Sequence, residues 1–270
     1  MVGGNEPSRW KNAAGNREVP TQMIEVRGLT KKYGEKVKAV DDLSFTARGG
    51  EIYGLLGPNG AGKTTTLRIL STLLEPSGGH ASVNGYDIRK DPEAVRRSVG
   101  VVNGGMGLYD RLTGREILEY FASFYRMSRA NVTRRIRELS DTLDMGELLD
   151  RKAGEYSTGM KQKVVIGRAV IHEPPVLILD EATNGLDVVA RRAVIEFARQ
   201  YRGAGRVVVY STHVMSEAEE LCDRAAIIDH GRLIAEDTVP ALLSRTGAND
   251  LEDAFFKLTR ASQPRGLAHA

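Results

Sequence analysis

Apolar residues in this chain gather in short, unbroken runs separated by polar turns, except in one central region. The runs at 23–26, 43–47, 52–56, 81–84 and 99–102, and again at 176–179 and 207–210, have the length of strands. Those that are aliphatic throughout, Val176-Leu177-Ile178-Leu179 above all, predict strands buried on both faces of a parallel sheet. From about 112 to 170 the spacing becomes helical. There Ile117, Phe121, Phe124 and Tyr125 fall at i, i+4, i+7 and i+8, one face of an amphipathic helix. That face predicts the packed interior of a small helical lobe. Strand spacing returns over 204–237, a helix is expected over 216–222, and 251–258 reads as a short terminal helix. The pattern is that of an α/β protein whose strands are interrupted by a helical insertion.

Two of the strand-like runs end in residues that carry chemistry. The run 52–56 leads into Gly57-Pro58-Asn59-Gly60-Ala61-Gly62-Lys63-Thr64-Thr65, after which Leu67, Leu70, Leu73 and Leu74 follow at helical spacing. Strand, glycine loop and helix are the context in which G-x-x-x-x-G-K-[ST] binds phosphates. The glycines let successive N–H groups turn inward, and the helix N-terminus adds its partial positive charge. Lys63 would reach the β- and γ-phosphates, and the Thr64 hydroxyl would ligate Mg²⁺. The run 176–179 ends in Asp180-Glu181. At the carboxyl end of a buried strand, Asp180 could hold Mg²⁺ directly or through water, and Glu181 could orient and deprotonate an attacking water. Alone, the pair would pass for a solvated acidic turn. Downstream of a phosphate loop it points to nucleotide hydrolysis.

Between these segments stands Tyr156-Ser157-Thr158-Gly159-Met160-Lys161-Gln162-Lys163. By itself it is a helix start with Ser157 as the N-cap. In this order, however, the chain resembles the nucleotide-binding subunits of ABC transporters, whose signature of the type L-S-G-G-Q is matched in form by Tyr156 to Met160. Asn184-Gly185-Leu186-Asp187 looks like that family's D-loop. Ser211-Thr212-His213 looks like its switch histidine, and Tyr33 stands where the family stacks an aromatic ring on adenine. The resemblance spans roughly residues 23 to 237. It implies a P-loop NTPase, RecA-like core with an N-terminal antiparallel β subdomain and an inserted α-helical subdomain at about 106–170, the whole domain covering 23–258. It also implies an ATPase using ATP and Mg²⁺, with His213 on the γ-phosphate and Asp187 beside the nucleotide. Ser157 and Gly159 would close over ATP bound to a second subunit, in a homodimer or heterodimer.

The same resemblance implies a separately encoded transmembrane permease, gripped in part by the helical lobe, and a peripheral place on the cytoplasmic face of the membrane. Gly107-Leu108-Tyr109-Asp110-Arg111-Leu112-Thr113 looks most like the sodium- and drug-extruding exporter ATPases. A rival reading is a soluble ABC-type ATPase acting on nucleic acid or ribosomes. Such proteins usually carry two cassettes or long coiled-coil insertions, and this sequence has neither. A small-molecule kinase on the same loop is disfavoured by the signature and by Asp180-Glu181. Two departures from the family stand out. Ala182 replaces the usual Pro after the catalytic Glu. The Mg²⁺-ligating Gln between the lobes is absent: its position is Gly104, and no Gln lies between Met23 and Lys161. Asn103 is the candidate to replace it in part.

Composition adds limits rather than new ideas. A net charge of +3, from 38 basic and 35 acidic residues, gives no case for a nucleic-acid partner. A pI near 8.9 leaves room for weak association with an anionic membrane surface. The single cysteine, Cys222, excludes an internal disulfide and reads as a core filler. No apolar run reaches the eighteen or so residues of a membrane span. Residues 1–22 carry Arg9, Lys11 and Arg17 without an apolar stretch, so a disordered extension is expected rather than a secretory signal, and Met23 is a candidate start codon. Residues 259–270 are expected to be a flexible tail.

Overall fold

The computed structural model describes residues 22–203 and 205–262. Strands β1 (Gln22–Tyr33) and β2 (Val37–Arg48) form a hairpin, followed by β3 (Ile52–Leu56), helix α1 (Lys63–Leu70), β4 (Gly78–Val83), β5 (Tyr86–Asp87), α2 (Pro92–Ser98) and β6 (Val99–Asn103). The insertion holds α3 (Gly114–Ser123), α4 (Arg129–Leu143) and α5 (Thr158–Val170), with two short 3-10 turns between α4 and α5. The chain returns through β7 (Val176–Asp180), α6 (Val188–Tyr201), β8 (Val207–Thr212), α7 (Met215–Leu221), β9 (Arg224–Asp229) and β10 (Arg232–Thr238), and ends with α8 (Val239–Thr246) and α9 (Leu251–Ser262).

Two sheets result. One is antiparallel with order β2-β1-β4-β5; the other has order β10-β9-β3-β8-β7-β6 and is parallel from β9 to β6. Its central strands β3, β7 and β8 are buried at every position, as the aliphatic runs predict. Alternation divides them between two cores. Ile52, Leu56, Leu177, Leu179, Val208 and Tyr210 face the helical lobe, α6 and the C-terminal helices. Tyr53, Leu55, Val176, Ile178, Val207 and Val209 face α1 and the antiparallel sheet. Because β3, β8, β7 and β6 are neighbours and run the same way, their carboxyl ends, and the loops that follow, stand side by side.

Three expectations need correction. The inner face of α3 is Ile117, Leu118 and Ala122, with Phe121 half-buried, whereas Phe124 is 62 % exposed. The helix ends at Ser123 and the chain turns at Arg126, whose φ is +52°, so the helical period no longer applies at Phe124. The α3 start is set by a capping box: the Thr113 hydroxyl accepts from Glu116 N at 3.2 Å and Glu116 Oε2 accepts from Thr113 N at 2.8 Å. Second, α9 runs to Ser262 and Thr259 is buried, so the tail cannot begin at 259; residues 263–270 lie outside the described residues, as does the 1–21 part of the expected extension. Third, Cys222 lies just past α7 rather than within it, buried, with its thiol pKa pushed up by that burial.

Candidate functional site

The phosphate loop hangs between β3 and α1 in a conformation only glycine permits. At Gly57 a Cβ would collide with the carbonyl of Ile228, and at Gly62, with φ +103°, with the carbonyl of Ala39. Gly62 precedes α1 without any side-chain cap, and the first turn carries no acidic residue, which leaves its N–H groups and partial positive charge for an anion. Lys63 is 3 % exposed and folded back into the loop, with Nζ donating to Gly57 O at 2.8 Å and Pro58 O at 3.0 Å. Burial lowers its pKa, and the nearby Glu181 carboxylate opposes that shift.

The acids at the end of β7 meet this lysine across β8. Asp180, 6 % exposed, accepts at Oδ1 from Thr64 Oγ1 at 3.2 Å and from Ser211 Oγ at 2.5 Å. Glu181 has φ +50°, a left-handed conformation that side chains rarely adopt. Its N–H donates to Ser211 O at 3.1 Å and to Ser211 Oγ at 3.2 Å, and its Oε2 accepts from Asn184 Nδ2 at 2.6 Å. Glu181 Oε1 lies 3.6 Å from both Lys63 Nζ and His213 Nδ1. Lys63, Thr64, Asp180, Glu181 and His213 thus converge on one point, each delivered by the end of a neighbouring strand. Ser211 was visible in the sequence only as part of a motif. Its contact with Asp180 follows from the register that sets Asp180 opposite Ser211, a lateral relation that linear spacing does not encode.

The remaining expected residues stand apart. Tyr33 lies at the end of β1, its ring 45 % exposed and the Lys31 ammonium 5.4 Å over one face. Ser157 caps α5, its hydroxyl accepting from Met160 N at 3.3 Å, and Asp187 caps α6 by accepting from Ala190 N at 2.8 Å. Ser157, Gly159, Met160 and Asp187 line a groove of about 440 Å³ between α5 and α6, away from Lys63.

At the junction of the lobes, Asn103 ends β6 opposite Asp180, and Gly104 N donates to Asp180 O at 2.8 Å. A Cβ on Gly104 would lie 2.8 Å from Glu181 O, so this position is closed to side chains. A different link spans the lobes. Gln162, in α5, donates from Nε2 to Ala182 O at 3.0 Å, one residue beyond Glu181. Beside this junction a second groove of about 440 Å³ is lined by Leu73, Arg96, Asn103, Phe121, Tyr125 and Arg168, among others. Exposed Tyr109, Tyr120 and Phe124 rings stack edge to face on the same lobe.

Known proteins share both the sequence and this architecture. Residues 40–184 match the family model described as ABC transporter. The chain is 40 % identical over 243 residues to the ABC transporter ATP-binding protein NatA of Bacillus subtilis (strain 168), covering 88 % of this chain and 99 % of that protein. It is 42 % identical over 232 residues to the daunorubicin/doxorubicin resistance ATP-binding protein DrrA of Streptomyces peucetius, covering 86 % and 70 %. With the Nod factor export ATP-binding protein I of Burkholderia lata it shares 40 % over 235 residues, covering 87 % and 77 %. Among solved structures, an ATP-binding subunit of an ABC transporter superposes with a TM-score of 0.80 at 34 % identity, covering 88 % and 99 %. A dimeric ATP-binding cassette in a post-hydrolysis state with ADP and phosphate superposes at 0.71 with 25 % identity, covering 80 % and 98 %. Sequence matched over most of the length, together with a phosphate loop and an acidic pair brought into contact by the shared fold, leads to one assignment: this chain belongs to the ABC transporter family, as an ATP-binding and ATP-hydrolysing subunit.

Proposed function

We propose that the subunit powers an exporter by hydrolysing ATP at the cluster of Lys63, Thr64, Asp180, Glu181 and His213. The observation that carries this reading is the 3.6 Å approach of Glu181 to both Lys63 and His213 at the ends of adjacent parallel strands. Lys63 now bonds two loop carbonyls; on nucleotide binding its ammonium exchanges them for β- and γ-phosphate oxygens. Thr64 and Asp180 offer oxygens 3.2 Å apart, an all-oxygen donor set suited to Mg²⁺, which keeps several waters and needs few protein ligands. Bound there, the metal would neutralise charge on the phosphates. Ser211 fixes the Asp180 carboxylate. Glu181 takes the proton of the attacking water, Asn184 holds its second oxygen, and His213 donates to the γ-phosphate. The exposed face of Tyr33 offers its π surface to the adenine.

Ser157 and Gly159 are too far from their own phosphate loop to serve it, which supports a dimer in which each α5 N-terminus completes the other subunit's site. The groove at Leu73, Phe121 and Arg168 and the exposed aromatic rings beside it suit a permease segment, and would hold the subunit on the cytoplasmic face of the membrane. Among the described residues no helix is long and apolar enough to cross a membrane itself. Export is the direction that the names of the resistance and Nod factor relatives support. The test mixes Lys63→Ala with Ser157→Arg subunits, each inactive alone. Recovery of part of the phosphate release is expected, because a mixed dimer keeps one intact composite site. A Ser157→Arg subunit that hydrolyses ATP at the wild-type rate by itself overturns the shared-site arrangement.

A further inference from the structure

Beneath the switch histidine, α7 buries a carboxylate with no direct part in the chemistry. Glu217 is 5 % exposed and stands four residues after His213. Its Oε2 accepts from Tyr210 OH at 2.7 Å, from Thr183 Oγ1 at 2.8 Å and, weakly, from Thr212 Oγ1 at 3.4 Å. Its Oε1 lies 3.2 Å from Arg191 Nε. Burying a carboxylate is costly unless its oxygens are satisfied by donors, and here they are. The donors come from separate segments. Thr183 is two residues beyond Glu181 in the turn after β7. Tyr210 and Thr212 lie on β8, with Thr212 directly before His213. Arg191 sits in the first turn of α6, the helix capped by Asp187.

Buried apolar side chains would let these segments slide by small amounts. A carboxylate with fixed lone-pair directions does not, since sliding would strand a donor or an acceptor in the core. We propose that Glu217 is a positioning residue: it sets the Glu181 turn and the His213 loop at their working separation, and ties both to the α6 helix that begins at Asp187. The proposal rests on Glu181 acting as the base. Glu217 touches neither phosphate-loop residue nor nucleotide site, so its effect falls on turnover and not on nucleotide affinity.

The experiment compares phosphate release at saturating MgATP, and ATP affinity, in wild type, Glu217→Gln, Thr183→Ala, Thr183→Ser, Glu181→Gln and the double variant Glu181→Gln/Glu217→Gln. Glu217→Gln should lower kcat tenfold or more while the ATP Kd stays within twofold. Thr183→Ala should fall in between, and Thr183→Ser should return to within twofold of wild type. The double variant should be no slower than Glu181→Gln alone within twofold, because Glu217 acts through a base already removed. A Glu217→Gln enzyme with wild-type kcat overturns the proposal, as does a double variant slowed by the full product of the two single effects. If Glu217→Gln shows no cooperative melting transition, Thr183→Ala decides, and an unchanged kcat there overturns the proposal equally. Wild-type turnover in Glu181→Gln would instead sink the base assignment, which separates the two failures.

Discussion

Restoring glutamine at position 104, the residue the family usually carries between its lobes, should damage this protein. The ideal Cβ at Gly104 falls 2.8 Å from Glu181 O, and ordinary contact begins at 3.4 Å. The gap must therefore open by about 0.6 Å to relieve the overlap. Little of that movement can occur on the Gly104 side. Its N–H is bonded to Asp180 O at 2.8 Å, and Asn103 is paired with Asp180 in the parallel sheet. The Glu181 turn must give way, against its own bonds to Ser211 at 3.1 and 3.2 Å. Overpacking of this kind costs about 1–3 kcal/mol. A misplacement of roughly 1 Å can cost about 10²-fold in rate, so a shift about half that size should lower kcat roughly tenfold. Gly104→Ala isolates the Cβ contact from any effect of the amide. Phosphate release at saturating MgATP, with a Mg²⁺ titration and a melting curve for each variant, checks the reasoning. Gly104→Ala and Gly104→Gln should both melt several degrees lower and turn over about tenfold slower. A Gly104→Gln enzyme with undiminished kcat and a lower Mg²⁺ requirement would refute it, because the glutamine would then have found room and resumed its usual role.

Glu181→Gln keeps the shape of the side chain and loses the base, so turnover should fall by about 10²–10⁴-fold while ATP still binds; size exclusion with ATP should then reveal an accumulated dimer. Asn103→Ala should raise the Mg²⁺ concentration needed for half-maximal phosphate release if Asn103 stands in for the missing glutamine, and an unaltered titration would hand that role to water. His172, stacked on Tyr125 at 3.6 Å, has its pKa pushed down to about 4 by burial. Between pH 6.5 and 4 the unfolded chain therefore binds a proton the folded one refuses, so stability rises with pH across that window and falls by about 3 kcal/mol on descending it. Urea midpoints measured at pH 7 and pH 4.5 should show this loss, and His172→Phe, which preserves the stacking, should show a smaller one.

The sequence carried the strands and the phosphate loop plainly, because each is a local pattern. Aliphatic runs such as 176–179 can only be buried on both faces, and the run Gly57–Thr65 needs no partner to declare its shape. Relations between strands were hidden. Ser211 meets Asp180 because β8 lies between β3 and β7, an order that no spacing reveals. Gln162 reaches Ala182 O across the lobe boundary, and Gln162 was legible only as a polar residue after the signature. Helix ends failed for a local reason. Helical spacing continued on paper through Phe124, but the chain turned at Arg126, while α9 ran past Leu258 because no Gly or Pro interrupts 251–262. Glu217 lacked any signal of its own, since one acid among several on α7 looks like a solvated face until its neighbours are known.

The left-handed backbone at Glu181 sets activity against durability at a single residue. A side chain in that conformation costs about 1–2 kcal/mol, and here it belongs to an acid placed directly after another acid. Glycine would relax the backbone and remove one of two neighbouring negative charges, so Glu181→Gly should melt no lower than wild type, and above it where the strain outweighs the lost contact with Asn184. It should also be inert towards ATP. A screen that rewards thermal stability alone would therefore drift toward discarding the carboxylate, and only selection for turnover keeps the residue in place.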